Sequence, residues 1–383
     1  MSFPQIAGYT LAIQQNGPGV FKTLPVSMFI PSKNTPIKIY TYSSGMFAVI
    51  FKVNMNNSDY AIRCFLSCRE EIDVRYKCID EHFRKIPPQD WMVGFRYLDE
   101  EFMAETKRHP VVLMDWINGI PLNRYITQHC NDKATLTNLQ EKLLALSDSL
   151  TGNKIGHGDL QAANILVETV NDRLKLIDYD NLYVPSLLGR RSIELGRPEY
   201  QHPQREPADY NETIDWFSVW VMLTAIEGVK ADPSLWNVSL HKGFNNLENF
   251  LFVAEDFLRP QFSPLFKRLF NINSDALQYY VKKLVSFCEG PLSAIQKPVL
   301  FHADAPKVVP DVQKAVTTEK GCFYIDSNMA ATVLSARLQK IATTPCSLNS
   351  NEYNGKKLIV SYGSRTATLE LVMHQTNYFV EFT

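Results

Sequence analysis

The sequence predicts an α+β chain: a small antiparallel β-sheet carrying one helix, a mainly α-helical body, and a small C-terminal α+β unit. Three observations predict it. Strand-like runs surround a single helical pattern between Ile37 and Trp116. Amphipathic helical patterns dominate from Leu122 to Glu289. Pro291, Pro298, Pro306 and Pro310 then mark a linker before a last segment with strands of its own.

Residues 1–36 read as an irregular, extended arm, with Pro4, Pro18, Pro25, Pro31 and Pro36 and the turn signal Asn16-Gly17. Ile37–Thr41 and Phe47–Val53 are strand-like and flank Tyr42-Ser43-Ser44-Gly45-Met46; a turn at Asn54–Ser58 leads into a third strand, Tyr60–Leu66. Ser67–Lys85 reads as a helix because Ile72, Tyr76, Ile79 and Phe83 recur at spacings of three and four, and Pro87-Pro88 stops it. Strands follow at Met92–Tyr97 and Pro110–Trp116. Beyond Asn118-Gly119, helices are predicted at Leu122–Cys130, Thr135–Leu150, Asp215–Glu227, Leu247–Leu258 and Asp275–Glu289. Short strands are expected around Ile165–Val167 and Leu174–Ile177. The last segment is expected to hold a helix near Ala330–Ile341 and strands near Lys357–Tyr362, Thr366–Met373 and Tyr378–Phe382.

The 383 residues are 45% hydrophobic and 21% charged, a globular composition with room for two or three domains. Lys+Arg number 39 and Asp+Glu 40, for a net charge of −1, and no basic run is visible, which argues against a dedicated nucleic-acid binder. Seven cysteines, scattered and without a C-x-x-C pair, argue for reduced thiols in a cytoplasmic protein and against a disulfide framework or zinc knuckle. The amino terminus lacks the basic region and apolar stretch of a secretory signal. The most apolar stretch, Trp216–Ile226, is about half of the ~20 residues that span a bilayer, so no membrane segment is expected.

The strongest chemical signal is His157-Gly158-Asp159-Leu160-Gln161-Ala162-Ala163-Asn164, followed by Asp178-Tyr179-Asp180. Phosphoryl transfer from ATP needs a carboxylate near the attacking hydroxyl and oxygen ligands that hold Mg²⁺ on the phosphates. An Asp and an Asn five residues apart on one loop supply the first and part of the second. An Asp after the following strand supplies the rest, and hard oxygen ligands are what Mg²⁺ selects.

These residues resemble the protein-kinase-like superfamily, in its H-x-D-x-x-x-x-N catalytic loop and in a D-F-G segment written here as D-Y-D. Upstream, Ser43-Ser44-Gly45-Met46-Phe47-Ala48-Val49-Ile50 occupies the place of the glycine-rich loop, and Tyr60-Ala61-Ile62-Arg63 that of V-A-I-K. Met114-Asp115-Trp116-Ile117-Asn118-Gly119 resembles the segment that joins the two lobes. Downstream, Gly196–Pro203 resembles the end of an activation segment, and Asp215-Trp216-Phe217-Ser218 the helix start whose Asp holds the catalytic-loop backbone. The signatures H-G-D-L-Q and D-Y-D resemble an atypical bacterial branch.

The resemblance implies a two-lobed kinase-like fold. Its parts would be an arm over 1–36, an N-lobe over 37–114, a C-lobe over 115–300, and a linker with a small α+β domain over 301–383. It implies Asp159 as the catalytic carboxylate and Asn164 and Asp178 as Mg²⁺ ligands. Arg63 and the loop residues Ser43, Ser44, Gly45 and Ala48 would hold the phosphates of ATP. Ile50, Ala61 and Leu166 would line the nucleotide, with Met114 as gatekeeper and Asp115 and Ile117 at adenine.

Four departures qualify this. Arg63 replaces a lysine, putting a planar fork where a compact ammonium is usual; Lys52 is a second cation on the same strand face as Ile50. The helix glutamate that should pair with the cation is not obvious: counting places Arg75 or Tyr76 near its position, Glu71 is the residue expected to serve, and Glu81 is another candidate. Gly158 replaces an Arg that reads a phosphorylated loop, so regulation by loop phosphorylation is not expected. Gln161 stands where serine/threonine kinases carry Lys, which leaves both a protein and a small hydroxyl compound open as acceptors. The expectation is an ATP- and Mg²⁺-dependent phosphotransferase acting on a protein in preference to a small molecule; a nucleotide-binding pseudokinase is the alternative. The C-terminal unit is expected to bind a partner protein.

Overall fold

The computed structural model describes residues 3–301 apart from 33–37, 46, 68–71, 237–243 and 246–247, and the strands within 322–380. The chain is α+β and divides into two compact units, Met1–Ala303 and Asp304–Thr383.

The first unit opens with helix α1 (Ile6–Asn16) and then builds a sheet from β1 (Met28–Ile30), β2 (Thr41–Ser44), β3 (Ala48–Met55), β4 (Ser58–Phe65), β5 (Phe95–Ala104) and β6 (Lys107–Asp115). The order is β1-β3-β4-β6-β5, with β2 also on β3, and every pairing is antiparallel. Helix α2 (Ile72–Phe83) lies between β4 and β5 in the chain.

Strand β3 alternates with a period of two. Its Val49, Phe51, Val53 and Met55 join Ile62, Cys64, Val111 and Leu113 on one face, and Tyr9, Ala12, Ile13, Val20, Phe21 and Phe29 cover that face. The extended arm expected over residues 1–36 is therefore corrected: it contains α1. Its prolines bracket the helix and do not interrupt it. Pro4 precedes it, and Gly17, at a φ of +50°, ends it in a conformation that glycine tolerates. Tyr9, Ala12 and Ile13 share one helix face, and the Tyr9 hydroxyl donates to the Phe65 carbonyl at 2.9 Å. The following loop is held by Glu101, which is 1% exposed. Its carboxylate accepts the backbone N–H groups of Lys22, Thr23 and Leu24 and the Thr23 hydroxyl, at 2.7–3.0 Å.

The opposite face packs Phe65, Phe95, Tyr97 and Val112 on Ile72, Tyr76, Ile79 and Phe83 of α2, and this core continues into the helical part of the unit. That part contains α3 (Leu122–His129), α4 (Lys133–Gly152), α5 (Trp216–Ala231), α6 (Ala254–Leu258), α7 (Pro264–Phe270) and α8 (Asp275–Glu289). A three-stranded sheet accompanies it, β7 (Gly119–Pro121), β8 (Ile165–Glu168) and β9 (Leu174–Leu176), ordered β7-β8-β9. Helix α5 is buried from Phe217 to Val229, which explains why its sequence is apolar all round without being membrane-spanning. Among the described residues no helix is long and apolar enough to cross a membrane.

The helix expected over Leu247–Leu258 shortens to α6. Leu251 sits at a φ of +72°, outside helical space, and the Asp256 carboxylate accepts the Val253 N–H at 2.8 Å to start the helix there. Helix α7 escaped the sequence reading; Ser263 caps it through the Phe266 N–H at 2.9 Å, with Pro264 in its first turn.

The second unit shows β10 (Cys322–Ser327), β11 (Thr332–Ser335), β12 (Lys340–Thr343), β13 (Cys346–Asn349), β14 (Lys357–Tyr362), β15 (Arg365–Glu370) and β16 (Asn377–Val380). They form sheets ordered β13-β10-β16 and β12-β11-β14-β15. The helix expected near Ala330–Ile341 is corrected: the described part of that interval is strand. Thr332, Val333, Ile341 and Thr343 are β-branched, and β11 gains ladders on both sides, to β12 and β14. Val333, Leu358 and Val360 are buried.

Replacing Glu101 with Ala leaves the Thr23 and Leu24 N–H groups and the Thr23 hydroxyl without their acceptor, while the Lys22 N–H keeps the residue-101 carbonyl at 3.0 Å. The expected loss is about 2–4 kcal/mol, since hydrogen bonds to a charged group are each worth more than neutral ones. Urea unfolding of Glu101→Ala checks it; a loss under about 0.5 kcal/mol would contradict the anchoring role.

Candidate active site

The loop before β8 is fixed from below. Asp215, at the N-terminus of α5, is 5% exposed and accepts the backbone N–H groups of His157 and, at 2.9 Å, Gly158. Burial raises its carboxyl above the ordinary range, against the pull of His157 and these bonds. His157 is fully buried and its Nε2 meets the Ile177 carbonyl at 3.0 Å, so it joins the loop to the end of β9. Gly158 has a φ of +77°, and a Cβ there would lie 2.5 Å from the Asn181 carbonyl oxygen. A Cβ does not fit there unless the backbone shifts.

Asp159 stands on that loop. Its Oδ2 accepts from Gln161 Nε2 at 2.7 Å and from Asn164 Nδ2 at 3.0 Å, and its Oδ1 from the Arg197 N–H at 3.0 Å. The Asn164 amide also donates to the Asp159 carbonyl at 2.9 Å, which leaves its side-chain oxygen as an acceptor. Gln161 is thus a positioning group for Asp159, a role the sequence reading did not assign to it.

After β9 the chain turns at Asp178, left-handed at a φ of +66°, into a 3-10 turn over Tyr179–Asn181. Tyr179 enters the core against Phe83 and Phe95. The aspartates on either side of it meet Arg63 of β4. Arg63 Nη1 donates to Asp178 Oδ1 at 3.1 Å, and Nη2 donates to Asp180 Oδ2. The Tyr76 hydroxyl of α2 donates to the other oxygen of Asp180. Burial pulls the Arg63 pKa down, but the facing Tyr76, Asp180, Asp178 and Glu194 outweigh it and the guanidinium is held charged. Desolvation pushes the Tyr76 hydroxyl well up, so it stays a donor.

Glu71, the expected helix partner of Arg63, lies outside the described residues. Tyr76 is the α2 residue that reaches this cluster. Arg75 turns away, to the Tyr210 hydroxyl at 3.1 Å and the Arg191 carbonyl. The sequence reading missed Tyr76 and Asp180 as a pair. The available signal was double: no glutamate at the counted helix position, and an extra carboxylate in D-Y-D.

The remaining expected residues sit as follows. Ser43, Ser44 and Gly45 are exposed, and the Gly45 N–H donates to the Ala48 carbonyl at 2.9 Å across the start of β3. Ile50 pairs with Arg63, and Ala61 with Met114, so all four share the sheet face opposite α1. Leu166 and Ile117 are half-buried, and Asp115 is exposed with its carboxylate accepting the Gly94 N–H at 2.9 Å. Lys52 is engaged elsewhere, 2.8 Å from Asp59 and over the Trp116 ring at 4.5 Å. The stretch leading to α5 is held by Arg75 on the Arg191 carbonyl and Tyr210, by Asp159 on the Arg197 N–H, and by neutral groups. Asn181 donates to the carbonyls of Gly158 and Glu194 and accepts the Ile193 N–H, and Ser192 is buried.

No protein-family model matches the chain. It is similar to serine/threonine-protein kinase dkf-1 of Caenorhabditis briggsae, 27% identical over 187 residues that cover 46% of this chain and 24% of that protein. It is also similar to serine/threonine-protein kinase dkf-1 of Caenorhabditis elegans, 30% identical over 131 residues, 32% of this chain and 18% of that one. The chain therefore spans a quarter or less of the length of these relatives. The matches relate it distantly to serine/threonine protein kinases and make it kinase-like at that coarse level.

Gly158→Ala should cost at least about 1–3 kcal/mol, the range for a left-handed non-glycine residue with a close contact. Thermal unfolding reads it. An unchanged melting temperature would show that the loop can relax around a Cβ.

Proposed function

We propose that the chain is an ATP- and Mg²⁺-dependent phosphotransferase that moves the γ-phosphoryl group to a hydroxyl, on a protein in preference to a small molecule. The observation that carries the reading is the constellation itself. A carboxylate held by three donors on a rigid loop stands beside an amide with a spare oxygen, and a second aspartate faces a cation of the sheet. We read residues 37–114 and 115–300 as the two lobes of a kinase-like fold, with the nucleotide between them.

The donor set fits Mg²⁺. Asn164 and Asp178 present hard oxygens, and this ion binds through one or two protein oxygens plus phosphates, without a dedicated cage. Among the described residues no group of three or more His, Cys, Asp or Glu side chains forms such a cage. Mg²⁺ when bound supplies charge neutralisation on the phosphates. Asp159 orients the acceptor hydroxyl and takes its proton; Gln161, Asn164 and the Arg197 N–H keep its carboxylate aimed. Arg63 offers a planar fork to phosphate oxygens, with the Ser43–Ala48 turn, Ile50, Ala61, Met114, Asp115, Ile117 and Leu166 as the nucleotide's surroundings. Kinship to proteins named as serine/threonine kinases supports a protein acceptor. A cytoplasmic location in the atypical bacterial branch, and a partner-binding C-terminal unit, complete the proposal.

One observation favours a second reading, a nucleotide-binding module without turnover: Asp178, the proposed metal ligand, is paired with Arg63. Labelled ATP with Mg²⁺, first alone and then with a cell extract, separates the two. The wild-type chain is expected to label itself or an extract protein, and Asp159→Asn and Asp178→Ala to lose about 100-fold or more of that rate. Stabilisation by Mg·ATP with no labelling would select the module; neither effect would sink both.

A further inference from the structure

We infer that Asp180 is the fixed anchor of Arg63 and Asp178 its exchangeable partner, which makes Asp180 a positioning residue. One arm of the guanidinium stays on Asp180 while the other leaves Asp178 for phosphate. The exchange rests on the phosphotransfer reading; the anchor concerns the nucleotide-free protein alone.

Burial separates the two carboxylates. The Asp180 side chain is 9% exposed and that of Asp178 41%, against 17% for Arg63. An ion pair with a solvent-exposed carboxylate separates easily, whereas a buried one strands a charge when it breaks. Asp180 is also held from behind. Its second oxygen takes the Tyr76 hydroxyl, and the Tyr76 ring is stacked on Phe95 and Tyr97, both at 5.9 Å between centroids, and tilted against Phe65 at 5.4 Å. The hydroxyl thus cannot shift without disturbing the core.

The cation's chemistry completes the case. A guanidinium has two arms in a fixed plane and can hold one partner while changing another; an ammonium is a single point. Asp178 gives one of its two oxygens to Arg63 and can offer both to a metal only when that bond opens, and Arg63 cannot turn to phosphate if that leaves it unpaired in a buried place. A second carboxylate, permanently in position, meets both conditions. In this chain that carboxylate comes from the turn after β9, with Tyr76 of α2 in contact with it.

The test uses the full chain and two measurements. In nucleotide-free protein, thermal unfolding of Arg63→Met, Asp180→Asn, Asp178→Asn and the two double variants gives coupling for each pair. The Arg63–Asp180 coupling is expected to exceed the Arg63–Asp178 coupling. Calorimetric binding of ATP in EDTA is then compared. Asp180→Asn is expected to weaken metal-free ATP by about tenfold or more. Asp178→Asn should leave metal-free ATP unchanged or tighter, because it releases Arg63, while weakening Mg·ATP. Should Asp180→Asn fold poorly, Asp180→Glu keeps a carboxylate on the turn and the Tyr76 ring in place, and is expected to hold more of the wild-type stability and metal-free ATP affinity than Asp180→Ala; equal losses in the two would overturn the anchor. Wild-type coupling and affinity in Asp180→Asn, or weaker metal-free binding in Asp178→Asn, would overturn the inference. If the wild-type chain binds no ATP, the phosphotransfer reading and the exchange fall, and the couplings alone decide the anchor.

Discussion

A guanidinium tucked under a β-sheet has to be matched by carboxylates, and much of the first unit is arranged around that need. Arg63 projects from the middle of β4, between β3 and β6, onto the face shared with Ile50, Ala61 and Met114. Meeting it requires the chain after β9 to turn sharply, and the left-handed residue at Asp178 makes the turn. It also requires α2 to lie where Tyr76 can close the cluster. The aromatic packing of Tyr76, Phe83, Phe95 and Tyr179 holds that helix in place. Sheet, helix and loop are joined through one charge.

A second layer of order lies below. Asp215 fastens the backbone of His157 and Gly158, and His157 fastens the end of β9 through Ile177, so the loop bearing Asp159 and the turn bearing Asp178 share a foundation in α5. Because α5 is buried on all sides, that foundation has no soft face. Positioning by hydrogen bonds to backbone is stiffer than positioning by long side chains, which suits the phosphoryl transfer proposed above, where placement does most of the catalytic labour.

Much of this was legible in the sequence, and unevenly. The loop His157–Asn164 and Asp178 stood out because their residue types sit at local spacings, and the structure orders that loop and turn on Asp215 and His157. The period of two in β3 and the spacing of three and four in α2 were local as well. Tyr76 and Asp180 were not legible as partners: 104 residues separate them, and each looks unremarkable without the other. The helix in the arm was hidden because its prolines, Pro4 and Pro18, flank Gln5–Asn16, where they are compatible with a helix between them. In the last unit, helix-forming residues between Ala330 and Ile341 masked the strand pairing of Thr332–Ser335 with β14, a contact that no window of sequence contains.

The covering of the sheet has a consequence for motion. Antiparallel sheets commonly leave one face to water and can flex. Here α1, the loop tied to Glu101 and the aromatic rings of Phe21, Phe29 and Phe102 lie on the face away from Arg63, so the strands are clamped between two cores. Such a sheet moves as a plate. For the nucleotide proposed to bind beneath it, the exposed hairpin tip at Ser43–Gly45 is a part of this sheet that lies outside both cores.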